Sequence, residues 1–205
     1  MLRAHPDHAA LAQRIVRLTD RLVPFRGTVY RSATPQYATT EGLLSGAGAA
    51  MVGGRWNPPG IRTVYASLTT ETALAETLAH VRYYGLPEAK ALPRTFVAIK
   101  VRLAAVLDLH QGDVRNRLKM SMDRMIGEDW HVANDKHNRH ALTQALGKVI
   151  YEAGIEAFIA PSATPGNGAN LIVFPQRLRS SSRVEIEHPD KLQGIITCNI
   201  ACRIA

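Results

Sequence analysis

Apolar residues recur at helical spacing near the start of the chain, where Leu11, Ile15, Leu18 and Leu22 share one side and predict an amphipathic helix over 7–22. Asp7 is placed to cap it and Pro24 to stop it. Gly27–Arg31 is rich in β-formers and predicts a short strand ending in an arginine. Residues 34–54 carry five glycines (Gly42, Gly46, Gly48, Gly53 and Gly54) without a sustained period, which predicts a loop. A second strand, Thr63–Ser67, runs into a helix over Thr69–His80, with Leu74, Leu78 and Val81 as its apolar stripe and Thr69 or Thr70 as its cap. Thr95–Val101 alternates like a strand with one buried face. Residues 108–140 are polar and contain histidines, predicting one short helix near Val114–Met122. Ala141–Ala153 reads as a strong helix stopped by Gly154, and Ile155–Ala160, Asn170–Phe174 and Val184–Glu187 as three more strands.

Strands and helices mix without regular βαβ alternation, so the expected class is α+β, a mainly antiparallel sheet with flanking helices. No repeat or linker divides the 205 residues, and a single domain is expected, with residues 1–24 as a helical extension before the body at 25–205. A chain 46% hydrophobic and 20% charged falls outside the disordered, collagen-like and coiled-coil classes. No apolar run approaches the roughly 18 residues of a membrane span. The polar N-terminus lacks an apolar leader, and Cys198 and Cys202 form neither a disulfide framework nor a four-ligand zinc pattern. A reduced, cytoplasmic setting is the expectation. The formal charge of +8 invites an anionic partner, and 19 of the 25 cations are arginine, which suits forked pairing with phosphate or carboxylate but also fits a GC-rich coding bias. The arginines are scattered rather than gathered in a basic run with interleaved aromatics, which argues against direct nucleic-acid binding.

The most unusual stretch is Gly53-Gly54-Arg55-Trp56-Asn57-Pro58-Pro59-Gly60. Arg55 in this irregular segment could grip a phosphate with Trp56 as wall or scaffold; alternatively it caps carbonyls while Trp56 fills the core. The segment has neither dinucleotide-fingerprint context nor Walker spacing. Glu76 is a mid-helix carboxylate among Ala73, Leu74, Ala75, Thr77, Leu78 and Ala79. It either faces solvent or is held toward a cleft, with His80 one turn further on. Ser162 follows a buried strand in a turn rich in Gly, Pro and Asn, where hydroxyl and backbone donors could meet an anion or a ribose. It is not a nucleophile elbow, because Gly-x-Ser-x-Gly is absent. The eight histidines show no convincing ligand spacing, and no metal is expected.

Together these pieces resemble the RES domain family, named for an arginine, a glutamate and a serine. The matching segments are Val29-Tyr30-Arg31, Gly53-Gly54-Arg55-Trp56-Asn57 with Gly60, Val64-Tyr65-Ala66-Ser67, Glu71-Thr72-Ala73-Leu74-Ala75-Glu76, Pro161-Ser162 and Asn170-Leu171-Ile172-Val173-Phe174-Pro175. The resemblance spans roughly residues 25 to 180. It implies Arg55, Glu76 and Ser162 as the namesake residues and Arg31, Tyr30 and Tyr65 as further pocket positions. It also implies a fold like that of ADP-ribosyltransferases and a toxin that takes NAD+ as its substrate, restrained by an Xre-type antitoxin. The acceptor would be water, phosphate or a target protein. The N-terminal helix and the polar stretch at 108–140 depart from the family pattern.

Chemistry gives those residues matching roles. Breaking the nicotinamide–ribose bond develops positive charge on the sugar, which Glu76 would stabilise while orienting the acceptor. Arg31 and Arg55 would answer the diphosphate, Tyr65 and Tyr30 offer an aromatic face to nicotinamide, and Ser162 fix a ribose hydroxyl or phosphate oxygen. Transfer of ADP-ribose to a protein would use the same binding residues. A basic nucleic-acid-binding or regulatory module without catalysis is the rival from another class.

Overall fold

The computed structural model describes residues 2–192; Cys198 and Cys202 lie outside them. Six strands, β1 Val23–Ala33, β2 Val64–Ser67, β3 Thr95–Asp108, β4 Ala157–Pro161, β5 Ala169–Val173 and β6 Arg183–Ile186, form one mixed sheet. Its order is β1-β2-β5-β4-β3-β6, and β3 also pairs β1, so the pairings return to their start with β6 appended. All pairings are antiparallel except β3–β4. This is the mixed, mostly antiparallel architecture expected from the sequence.

The helices are α1 His8–Val16, α2 Thr40–Leu44, α3 Ala47–Val52, α4 Thr70–Tyr83, α5 Gly112–Leu118, α6 Met122–Gly127, α7 Trp130–Asp135 and α8 Leu142–Glu152. In α8 nearly every position from Leu142 to Ile150 is buried, because the helix lies between the sheet, α1 and the Gly54–Asn57 turn. Gly154 adopts φ +74° just past its end, as a left-handed stop requires. One apolar cluster joins Leu11, Ile15 and Leu18 to Trp56, Leu146, Phe158 and Phe174. A second lies on other sheet residues, including Val29, Ile99, Leu103 and Leu171.

Several local expectations need correction. α1 ends at Val16 and a single 3-10 turn follows at Thr19–Arg21, while Pro24, expected to stop the helix, lies within β1. Residues 34–54 are not a loop: α2 and α3 fold there, with Thr39 capping α2 through the Gly42 N–H and Gly46 entering α3 at φ +66°. Helices of five and six residues are too short to show a period. The polar stretch 108–140 holds three helices rather than one. In α4, Thr69 is the cap, accepting from the Thr72 N–H at 3.2 Å. The Leu74 stripe fails, however: Leu74 is 47% exposed, and the helix packs through Thr72, Ala73, Thr77 and Val81. Small polar side chains permit that close approach, with Ser32 Oγ 2.9 Å from Thr77 Oγ1.

Candidate active site

A cavity of about 1150 Å³ opens between the sheet, α4, the Gly53–Trp56 turn and the α6–α7 segment. α4 turns one face to it, with Ala73, Glu76, Thr77, His80 and Tyr83 following one another at helical spacing. β1 contributes Tyr30 and Arg31, and β2 contributes Tyr65. Ser162 lies just behind the wall and is nearly fully buried. The structure thus brings Arg31, Arg55, Glu76, Tyr30 and Tyr65 onto one cavity, with Ser162 touching it through Glu76.

Glu76 is half-buried and fixed through one oxygen. Its Oε1 accepts from Ser162 Oγ at 2.7 Å and from Asn170 Nδ2 at 2.6 Å. Asn170 Oδ1 in turn accepts from Ser67 Oγ at 2.7 Å. Since Ser162 donates to Glu76, Thr164 Oγ1, 2.7 Å away, must donate to Ser162 Oγ. Two short chains of hydroxyl and amide donors therefore converge on one carboxylate oxygen, and Oε2 has no hydrogen-bond partner among the described residues. A carboxylate held this way keeps its geometry without losing its charge to a counter-ion. The sequence assigns Asn170, Ser67 and Thr164 no role in the site. A polar residue opening the apolar run Leu171-Ile172-Val173 was the available signal for Asn170.

Arg55 performs the capping alternative. Its Nη1 donates to the carbonyls of Met125 at 3.4 Å, Ile126 at 3.4 Å and Glu128 at 3.0 Å, gathering the C-terminal end of α6. Nε and Nη2 have no hydrogen bond among the described residues. Burial pulls the guanidinium pKa down, and Glu76 and then Asp129 oppose that shift; arginine stays protonated regardless. Trp56 is in the core, edge-on to Phe158 at 5.4 Å.

Arg31 is more deeply placed. Its Nη1 donates to the Tyr65 carbonyl at 2.7 Å, while its buried Nε has no partner among the described residues. Burial is again the largest influence and lowers its pKa. The Tyr65 hydroxyl is committed to structure: it donates to Asn57 Oδ1 at 2.7 Å and accepts the Trp56 N–H at 2.9 Å. Burial pushes its phenol well above the ordinary value. Tyr65 thereby ties β2 to the turn that carries Arg55. Gln144, fully buried in α8, holds the same turn by donating to the Gly54 carbonyl at 3.0 Å, and it reaches α7 through Asn134.

The outer wall consists of residues from Ile126 to Asp135, which the sequence reading left without a role. Glu128 fastens it at two points, accepting from the Leu142 N–H at the start of α8 and pairing with Arg139 at 3.2 Å. His80 lines the cavity as well, but its ring lies edge-on to Tyr84 at 5.2 Å. Among the described residues no cluster of three or more His, Cys, Asp or Glu converges as a metal site, and no helix is long and apolar enough to cross a membrane.

An anchored carboxylate and two half-buried arginines share one cavity, an arrangement able to receive an anionic group. The chain belongs to the RES domain family, whose model matches residues 28–193. Among relatives, it is 42% identical over 72 residues to the Prs ADP-ribosylating toxin of Sphingobium sp. (strain YBL2), a match covering 35% of this chain and 42% of that protein. It is 28% identical over 159 residues to the NAD(+) phosphorylase MbcT of Mycobacterium tuberculosis (strain ATCC 25618 / H37Rv), covering 75% of this chain and 80% of the relative. The fold is also that of a chain in the crystal structure of the M. tuberculosis MbcT–MbcA toxin–antitoxin complex, with a TM-score of 0.66 at 22% identity, over 90% of this chain and 98% of that one.

Proposed function

We propose that this protein is a toxin-like enzyme that consumes NAD+ by cleaving its nicotinamide–ribose bond in the cytoplasm, and that a cognate Xre-type antitoxin neutralises it. The observation carrying this reading is the fixed Glu76 carboxylate, doubly held at Oε1 and unengaged at Oε2, in one cavity with Arg31 and Arg55. As the bond between ribose C1′ and the nicotinamide nitrogen breaks, its electron pair leaves with the ring, which departs neutral. C1′ becomes cationic, and a preorganised carboxylate stabilises it without reorganising. An acceptor oxygen then closes on C1′. Inorganic phosphate needs no base for this, and water passes its proton toward Glu76 Oε2.

The remaining residues take supporting roles. Arg31 from the cavity wall, and Arg55 through its Nε and Nη2, answer the diphosphate. Tyr30 and the ring of Tyr65 provide the aromatic face for nicotinamide. Ser162 acts through Glu76, holding Oε1 so that Oε2 meets the sugar. Phosphorolysis or hydrolysis is favoured by the long match to the mycobacterial NAD(+) phosphorylase; the shorter, more identical match to an ADP-ribosylating toxin favours a protein acceptor as the second reading. The mostly antiparallel sheet, whose pairings return to their start, supports an ADP-ribosyltransferase-like fold. Residues 1–24 read as an extension of the family body at 25–205, one whose Leu11, Ile15 and Leu18 are built into the same core.

The test is NAD+ consumption by the purified chain beside Glu76→Gln, with and without phosphate. The glutamine oxygen can still accept from Ser162 and Asn170, so the fold survives, while kcat falls about 10²–10³-fold. Undiminished turnover by a folded Glu76→Gln protein removes the role of Glu76; absence of NAD+ loss by wild type removes the reading.

A further inference from the structure

Three aromatic rings form a column at the cavity edge. Tyr83 stacks on His131 with centroids 4.5 Å apart and planes 22° apart, and His131 lies against Trp130 at 3.6 Å and 30°. All three line the cavity. Asp129 fixes the arrangement, accepting from the Tyr83 hydroxyl at 3.0 Å and from the His131 N–H at 2.9 Å. Tyr83 nevertheless remains 50% exposed and Trp130 half-buried, and the Trp130 indole N–H has no hydrogen bond among the described residues. A stacked column whose tyrosine is held by a hydrogen bond and whose tryptophan is left partly uncovered offers a flat face on which a planar group can lie.

The position of the column says which flat group. Glu76 and Tyr83 stand seven residues apart on one face of α4, two turns and about 10.5 Å along the axis. Arg55 lines the same cavity, and its Nη1 donates to the Glu128 carbonyl, one residue before the Asp129 that holds Tyr83, so its guanidinium lies near the Tyr83 end. The cavity thus offers an anchored carboxylate and, two helical turns along α4, an aromatic column with a guanidinium near it. A dinucleotide cleaved at Glu76 would present a ribose, a diphosphate and then its second base in that order. The departing ring must sit beside the sugar at Glu76, so a site two helical turns away belongs to the distal base.

We propose that Trp130, backed by His131 and Tyr83, is the seat of the purine base of the dinucleotide, and that it sets the affinity for the adenylate half of the substrate. This rests on the proposed NAD+ reading. Base–aromatic stacking is sequence-tolerant and strong enough that its loss weakens binding by about 5- to 100-fold.

The experiment combines kinetics with direct binding. Trp130→Ala should raise the KM for NAD+ by about 5- to 100-fold with kcat within about twofold, and Trp130→Phe should recover most of the loss, because distal binding shared by ground and transition states moves KM alone. Titration of the unmodified protein with AMP, which carries the purine and lacks the scissile bond, should quench tryptophan fluorescence. Of the two tryptophans Trp56 is buried in the core, so the quench belongs to Trp130 and should vanish in Trp130→Phe while persisting in Glu76→Gln. An absent AMP quench, or a fall in kcat at constant KM in Trp130→Ala, overturns the assignment. An AMP quench in a protein that does not consume NAD+ keeps the purine seat and discards the reaction. A quench of equal size in Trp130→Phe places the base elsewhere.

Discussion

Arg55 has one attachment in place and a second proposed. The sequence left open a phosphate grip or a carbonyl cap; the structure assigns Nη1 to the cap and leaves Nε and Nη2 without hydrogen bonds among the described residues. Such a division depends on the planar fork of a guanidinium, which lysine cannot reproduce. Arg55→Lys should therefore raise the KM for NAD+ and also loosen α6, lowering stability by about 1 kcal/mol, or a Tm drop of about 2–4 °C. Kinetics and thermal melting on the same preparation check both. An unchanged KM with a lowered Tm would leave the cap as its single duty. Glu76 and Ser162 were legible as candidates because a lone carboxylate and a turn serine were odd in their local surroundings. The contact between them was not, since 86 residues separate the pair and the β4–β5 hairpin brings them together.

At the scale of elements, regular periods were readable and close approaches were not. α8 and the alternation that starts β3 follow directly from apolar spacing. β3 nevertheless runs to Asp108, beyond the expected Val101, because its partner β1 is long and because alternation dissolves at Ala104-Ala105-Val106. There the fully buried Glu156 takes the N–H groups of Ala104 and Ala105 at 2.9 and 3.2 Å, supplying bonds that a neighbouring strand otherwise would. Gly147 shows the same limit. It sits in the middle of a strong helix, where alanine has the higher propensity, but a Cβ there would stand 1.7 Å from the Trp56 carbonyl. Gly147→Ala must push the Arg55 turn away from α8. The expected outcome is a loss of about 1–3 kcal/mol, seen as a lower Tm, with NAD+ turnover reduced further than the stability loss explains. A more stable variant would show that the turn shifts freely.

At the scale of the whole molecule, charge scattered in sequence is gathered by register. Arg26 pairs opposite Arg102, and Arg102 opposite Arg183, so β1, β3 and β6 bring three exposed arginines into one row. No run of residues announces that row, because strand register, not sequence adjacency, assembles it. Three histidines should make the fold less stable in acid. Burial, the first cause in each case, pulls His5, His80 and His140 below the ordinary value of 6.5, with nearby cations adding to the effect. A group depressed in the fold binds fewer protons there than when unfolded, so its contribution is complete above about pH 6.5 and erodes as pH falls through and below that value. Thermal melts should accordingly show a Tm lower at pH 5.5 than at pH 7.5, and a flat profile would count against this account.

The fastening of Ile126–Glu128 by Arg55 has a consequence for how the molecule loads. The same cation braces the wall and lines the cavity, so an anion bound to it, as proposed above, would couple filling of the cavity to the order of that wall. Any bound anion that steadies Arg55 also steadies α6, and any fraying of α6 slackens the hold on that anion. On the proposed reading one side chain would thus serve as both brace and grip.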